Sequence, residues 1–484
     1  MSLQKKAISG VSWTFIEQFG SKVIGFVVQI VLARLIAPDE FGLLGMILIF
    51  NAVGNSLSDS GMSQSLIRSD EPDENDFYTV FSINFAVSFI LYIIFYFLAP
   101  YISIFYEQPR LTDLIRVYSI VIVINSLFTI QKTKLTHELN FKHQMKAQLP
   151  ALFLAGITGV VLAYMNYGVW SLVYMELVTG VSLTLIYYHQ TRWIPKLRIK
   201  RDKLKIHFDF GYKIALSGII GRIATNVFPL VIGKYFSAAM VGYYTRAFTL
   251  KEFPVVTISN TLDKVVYPLF AKIKNDNILL KNAYQKIQIL SLFVLSSIML
   301  LLIVTAEPLF GFLIGEEWLP AVPYFQILCI TGVFYPINKY NSNILKVKGR
   351  TDLYLKMAVW SNLLTLVGIA LTVKFGIIPL ILSQVIVTII RTLINIYYAN
   401  KFINYPLQEQ FIDLLKTTLP GIISFAIVFS FIYFNSTLNE NLYVIQLIVY
   451  GASFSLVLVL IHILFKTRSL KEIMNIYKLV RQKS

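Results

Sequence analysis

The chain of 484 residues is 56% hydrophobic and only 14% charged, with a mean hydropathy of +0.65. A soluble chain would carry about a quarter charged residues, so the composition excludes a soluble globular protein and indicates a polytopic membrane protein. The net charge of +17 does not signal nucleic acid, because the basic residues lie in short segments between apolar runs, and the single Cys329 leaves no intrachain disulfide.

In chain order, "MSLQKKAISGVSW" sets two lysines before an apolar run, as a secretory signal does. The run outlasts the apolar core of a signal and has no small-residue cleavage site, so it is expected to stay as a first helix. Fourteen spans are expected: 10–36, 42–66, 77–99, 113–134, 147–165, 169–189, 210–235, 241–268, 284–306, 323–345, 354–373, 376–398, 415–434 and 442–465. The second, eighth and tenth are the most polar and are required by alternation across the membrane. With the N-terminus in the cytoplasm, the inside segments hold most of the 43 Lys and Arg, and the outside segments carry Arg110, Lys234 and Lys374. That bias follows the positive-inside rule, and an even span count leaves both termini inside.

The longest inside linker, "QTRWIPKLRIKRDKLKIHFD" at 190–209, reads as a solvated topogenic loop near anionic headgroups. It separates a first lobe, residues 1–205 with spans one to six, from a second, 206–400 with spans seven to twelve. Residues 401–484 hold the last two spans and a basic cytoplasmic tail. His137, His143, His189, His207 and His462 have no metal-ligand spacing, and neither a metal nor a cofactor is expected.

An ungapped offset of 200 residues sets Lys22 on Arg222, Arg34 on Lys234 and Gly42 on Gly242. "VLARLIAPDEFGLLG" and "VIGKYFSAAMVGYYT" share a cation, a short outer turn and a glycine. Six spans separate the pair, so the repeats have parallel topology and are related by an axis along the membrane normal.

Ionised residues inside apolar helices mark function or pairing, because a charge at the centre of a spanning helix costs roughly 2.5–3.5 kcal/mol on insertion scales. On the first helix Thr14, Gln18, Lys22, Gly25 and Gln29 form one polar stripe; on the seventh, Gly218, Arg222, Asn226, Pro229 and Gly233 do the same. The second helix carries Asn51, Asn55 and Asp59 at steps of four. The eighth carries Arg246, Thr249, Phe253, Thr257, Asn260 and Lys264 on one face, with Lys251, Glu252 and Asp263 also present. Stripes on the leading helices of both halves predict a water-filled cavity between two bundles. Its expected substrate-binding residues are Gln18, Lys22, Gln29, Arg222, Asn226, Arg246 and Lys264, because excess cation suits the oxygens of phosphate. Asp59 is a candidate coupling-ion site. Glu17 and Glu176 are further candidates that equally suit ion pairs between helices, and Glu17 lies about 140° around its helix from Lys22. Arg34, Lys234 and Lys339 read as interfacial or structural, with Arg34 near enough to the outer end to snorkel.

The segments "SDSGMSQSLIR" (58–68), "TVFSINF" (79–85), "APYISIFYEQPRLTDLIRVYSI" (99–120), "VGYYTRAFTLKEFP" (241–254), "YPLFAKI" (267–273) and "WLPAVPYFQILCITGVFYPINKYNSNILKVKGRTDLYLK" (318–356) carry a resemblance over nearly the whole chain. In their order and spacing the chain resembles the Wzx-type polysaccharide flippases, in the lipopolysaccharide biosynthesis subgroup of the multidrug/oligosaccharidyl-lipid/polysaccharide exporter superfamily. The resemblance implies an all-α polytopic fold of fourteen helices: two six-helix lobes around a central cavity, plus two helices at the end. It further implies alternating access and a cation gradient as driving force. The implied substrate is an undecaprenyl-pyrophosphate-linked oligosaccharide carried to the periplasmic leaflet of a bacterial inner membrane. Membrane lipids and other polysaccharide assembly proteins are the remaining implied partners.

A small-molecule exporter of the same superfamily would favour an apolar or acidic cavity. A membrane-embedded polymerase or glycosyltransferase would need a long outer loop or a carboxylate-rich nucleotide site, and no Asp-x-Asp pair or Gly-rich phosphate loop occurs. "IGEEW" at 314–318 sets two carboxylates on an outer turn with no partner acid or base. No catalytic residue is assigned, and a transporter rather than an enzyme is expected. A channel fits ionised, duplicated lobes less well than a gated carrier.

Overall fold

The computed structural model describes residues 3–434 and 443–481, with backbone alone for 3–12, 434, 473 and 475–480. The described residues are helical apart from short turns and one extended segment, 192–200, with no strand among them. In lipid every backbone N–H and C=O must be satisfied within the chain, and helices meet that demand segment by segment. Among the described residues thirteen helices are long and apolar enough to cross a membrane, which makes this a multi-pass membrane protein. The expected eighth span, 241–268, forms as a helix over Ala238–Lys272, yet it is not among the thirteen. Arg246, Lys251, Glu252, Asp263 and Lys264 set it apart from them in charge.

The chain folds as two compact units, residues 1–242 and 243–484. The first contains α1 (Leu3–Leu35), α2 (Pro38–Asp59), α3 (Met62–Arg68), α4 (Glu74–Tyr106), α5 (Leu111–Tyr118), α6 (Ile120–His137), α7 (Phe141–Tyr164), α8 (Val169–Thr191) and α9 (Arg201–Tyr235). Here α1 packs on α7, α7 on α8, and α9 on α2, α3 and α4. That packing puts α9 with the first compact unit, which ends at residue 242. The helix α10 (Ala238–Lys272) begins in the first unit and continues into the second. There follow α11 (Asn277–Val304), α12 (Ala306–Leu313), α13 (Val322–Val333), α14 (Tyr335–Val347), α15 (Thr351–Thr372), α16 (Ile377–Ile403), α17 (Leu407–Phe434), α18 (Tyr443–Leu464) and α19 (Arg468–Arg481). In this unit α11 packs on α13 and α17, α16 on α14 and α15, and α17 on α18.

The expected second span, 42–66, is broken. Helix α2 ends at Asp59, Ser60 and Gly61 both take left-handed backbone, and α3 starts at Met62. The break lets α9 approach by backbone. A Cβ on Gly61 would lie 2.4 Å from the Gly211 carbonyl oxygen, and one on Gly211 would lie 2.4 Å from that of Ser60. Gly42 and Gly242, paired by the offset of 200, are a second such approach: a Cβ on either would meet the other segment's backbone within about 2 Å, at Ala238 and Pro38.

The basic linker is not a free loop. Its extended part, 192–200, is strapped onto α4 and α6: the Arg198 N–H donates to Ser82 Oγ (2.8 Å) and the Lys200 N–H to Thr79 Oγ1 (3.1 Å). Gln131 Nε2 donates to the Trp193 carbonyl (2.6 Å), and Lys134 lies over the Trp193 ring at 4.4 Å. From Arg201 the same segment already belongs to α9, nine residues before its expected start at 210.

Gly61→Ala is expected to lower stability by about 1–2 kcal/mol from the left-handed backbone alone, with the Gly211 clash added. Gly211→Val should be at least as harmful. Thermal unfolding of the detergent-purified variants checks both, and wild-type melting in each would show that the crossing is loose.

Candidate functional site

The break after α2 opens a pocket in the first unit. A cavity of about 420 Å³ lies between the C-terminal half of α2, the start of α3 and the middle of α9. Its polar lining is Asn55, Ser56, Asp59, Gln64 and Arg222, with Gly61 and Gly218 keeping the walls close. A Cβ on Gly218 would lie 2.7 Å from Ser56 Oγ.

The sequence placed Asp59 and Arg222 on two separate helix stripes, and the fold brings them to one pocket. Asp59 is half-buried and accepts a short hydrogen bond from Ser63 Oγ, on the second residue of α3. Arg222 is exposed, and its carbonyl accepts from Asn226 Nδ2 at 2.8 Å. Behind Asp59 runs an amide chain: Asn125 Nδ2 donates to Asn55 Oδ1 (3.0 Å), and Asn55 Nδ2 donates to Asn51 Oδ1 (2.6 Å). A polar ladder of this kind on membrane helices gives hydroxyls or water a place to bond, and it satisfies buried amides that lipid would leave unpaired.

The angle of α9 into this pocket is set at its first turns. The Asp76 carboxylate is buried. Its Oδ1 lies 2.9 Å from His207 Nε2, and its Oδ2 accepts from Lys203 Nζ (2.8 Å) and from the Asp73 N–H (2.8 Å). His207 Nδ1 lies 2.9 Å from Ser65 Oγ on α3. The Asp76 N–H in turn donates to Asp73 Oδ1, completing a capping box at the start of α4. That bond, with Lys203 nearby, holds the Asp73 carboxyl down to about 2. Sequence reading missed this cluster, because 131 residues separate Asp76 from His207 and neither belongs to a motif.

The other expected site residues fall elsewhere. On α1, Gln18 and Lys22 are exposed, Glu17 and Gln29 are half-buried, and none of them lines this pocket. Glu176 is half-buried on α8. In the second unit, the buried Arg246 sits over the fully buried Trp318 ring at 5.3 Å, so a cation–π contact holds its charge. Lys264 is exposed on α10. Among the described residues no group of three or more His, Cys, Asp or Glu is disposed to hold a metal.

Comparison with known proteins adds three findings. The model of a family described as "Polysaccharide biosynthesis protein" matches residues 31–323. The chain is 26% identical over 431 residues to the lipopolysaccharide biosynthesis protein WzxC of Escherichia coli (strain K12), covering 88% of this chain and 86% of that one. It is 24% identical over 444 residues to the teichuronic acid biosynthesis protein TuaB of Bacillus subtilis (strain 168), covering 90% and 91%. Among solved structures it shares its fold with the lipid II flippase MurJ in an inward closed conformation (TM-score 0.72, 18% identity, 94% of this chain and 98% of that one). A multidrug resistance MATE family transporter of the MOP superfamily, in an inward-facing conformation, aligns at TM-score 0.58 and 14% identity over 79% and 95%.

Asp76→Asn removes a charge that two cationic or imidazole partners face, and breaking a buried pair costs about 3–5 kcal/mol. The expected result is a clearly lowered melting temperature, whereas Arg222→Gln, on an exposed face, should melt like the wild type. Equal melting of Asp76→Asn and wild type would show that the cluster does not fix α9.

Proposed function

The chain belongs to the polysaccharide biosynthesis protein family, and from that premise we propose that it is a flippase for a lipid-linked oligosaccharide. The cargo is an undecaprenyl-pyrophosphate-linked repeat unit. It passes from the cytoplasmic to the outer leaflet of a bacterial cytoplasmic membrane by alternating access, with both termini of the protein on the cytoplasmic side.

The observation that carries this reading is the pocket that joins Arg222 to Asp59 inside a membrane unit. Guanidinium donors suit pyrophosphate oxygens, and the Asn and Ser lining suits sugar hydroxyls or ordered water. A pocket with guanidinium, carboxylate, amide and hydroxyl groups in its lining can bind and orient a polar cargo. The relatives named for lipopolysaccharide and teichuronic acid biosynthesis support the glycan class, and the fold shared with a lipid II flippase supports the mode of transport. The likeness to a multidrug transporter is one of fold.

Asp59 shares the pocket with Arg222 and is our candidate for the coupling ion. A cation or proton on Asp59 makes the pocket that Arg222 lines more positive and so favours an anion there, which links the two binding events. Lys22 and Arg246 are assigned a weaker share in cargo binding, because neither lines the pocket.

Deletion of the gene in its host should leave complete lipid-linked repeat units on the cytoplasmic leaflet, as read by a membrane-impermeant glycan probe on spheroplasts and on inside-out vesicles. Outward exposure of the repeat units with polymer alone missing would overturn the flippase reading. Asp59→Asn should transport at about a tenth of the wild-type rate or less, and lose its dependence on the ion gradient. Wild-type rate and dependence would remove Asp59 from the coupling role.

A further inference from the structure

The second unit holds a pocket of its own. A cavity of about 280 Å³ is walled by α14, α15 and α16, with Tyr335, Asn338, Lys339, Ser342, Asn362 and Arg391 among its lining residues. It is built rather than incidental. Asn338 Nδ2 donates to Thr392 Oγ1 (2.8 Å), and Asn395 Nδ2 donates to Asn338 Oδ1 (2.6 Å), so the buried amides at its base are fixed in orientation.

The charges do not balance. Lys339 Nζ lies 3.3 Å from Asp263, which also accepts from Asn343. Nearby on α10, Lys251 pairs with Glu252 at 2.5 Å. Arg391, in the middle of α16, forms no ion pair with a carboxylate among the described residues, and its Nε is buried without a hydrogen-bond partner. Arg391 cannot shed its proton as a lysine might. A guanidinium held in a membrane helix with a donor unused is stable only beside water or an anion, and the cavity beside it supplies the room.

We propose that this pocket binds an anionic, hydroxyl-bearing group of the cargo. Its phosphate or carboxylate oxygens lie on Arg391 and Lys339, and its hydroxyls lie on Asn338, Ser342 and Asn362. The proposal rests on the flippase reading for the identity of the cargo. Two parts of such a cargo share this chemistry: the pyrophosphate linker and an acidic sugar of the repeat unit. The first-unit pocket differs in charge, because Asp59 there offsets Arg222.

The test uses the full-length protein in nanodiscs and isothermal titration with inorganic pyrophosphate, glucuronate and neutral glucose. Wild-type protein should bind pyrophosphate, glucuronate or both, and glucose far more weakly. Binding of pyrophosphate alone assigns the linker, and binding of glucuronate alone assigns an acidic sugar. Arg391→Gln and Lys339→Gln should each weaken binding about tenfold or more, as the loss of one charge-assisted hydrogen bond implies. Arg391→Lys should recover part of the loss. Ser361→Trp keeps every charge and fills the cavity, so it should abolish binding even where a charge variant fails to fold. Arg350→Gln, whose guanidinium is paired with Asp352 at a helix start, should bind as wild type. Absence of binding to both anions, or binding unchanged in Arg391→Gln, Lys339→Gln and Ser361→Trp, overturns the proposal. The leaflet assay is independent: repeat units exposed outward in the deletion strain sink the flippase reading without touching the titration, and failed titration beside normal flipping sinks this pocket alone.

Discussion

Both oxygens of one buried carboxylate set the geometry of the first unit. Asp76 closes the capping box of α4, receives Lys203 and faces His207, so the start of α4 and the first two turns of α9 are fixed to one another. Everything farther along α9 depends on that anchor. At about 1.5 Å per residue, Arg222 stands roughly 22 Å beyond His207 along the helix, and a small tilt at the anchor moves it by ångströms. The Gly61–Gly211 crossing is the fulcrum, one turn past the anchor. No side chain larger than hydrogen fits there, so the backbone of α9 rests directly on the break between α2 and α3. The break places Asp59 at a helix end, and the crossing sets α9 against α2 and α3, so that Arg222 lines the same pocket.

Several of the remaining intramembrane charges are paired with a carboxylate or stacked on a ring. Arg246 lies over Trp318, Lys251 holds Glu252, and Lys339 holds Asp263. Lys234 reaches Glu107 at 3.2 Å, so its interfacial reading acquires a partner. These arrangements neutralise or spread charge without calling for a ligand. Arg391 breaks the pattern in the second unit.

Periodicity made most of the fold legible, because a residue facing lipid and one facing protein alternate on the 3.6-residue repeat of a helix. The ends of α8 and α18 lie within a few residues of their expected limits for that reason. The polar stripes that carry Asp59 and Arg222, each on its own helix, were legible on the same ground. Features made by pairing across the chain were not legible. Nothing in the sequence joins Asp76 to His207 or Asn338 to Thr392, and no local signal marks Arg391 as a cation without a carboxylate partner. The break at 60–61 was hidden by an apolar pattern that runs through it, since "SDSG" also reads as the polar face of a helix. The early start of α9 was hidden by charge: lysines and arginines at 201–205 read as a linker, although they are also good helix formers.

The two pockets differ in what they ask of a ligand. Where Asp59 and Arg222 line one pocket, the lining carries one charge of each sign and no surplus of either. Its occupancy can therefore change at low cost, which is what a site that must load and unload in each cycle needs. Around Tyr335 stand the cations Lys339 and Arg391 and the carboxylates Glu252 and Asp263, but Glu252 is already paired with Lys251 and Asp263 with Lys339, which leaves Arg391 without a carboxylate partner among the described residues. A surplus charge in a low-dielectric medium carries a standing desolvation penalty until an anion or water meets it. Retaining that penalty in the folded protein has a use only if the pocket is filled by something negative during the work of the protein. The Asp263 carboxylate beside Lys339 limits how tightly the pocket can hold it, because Lys339 already shares its charge with that carboxylate. A carrier gains from that sharing: the anion is attracted strongly enough to enter and weakly enough to leave.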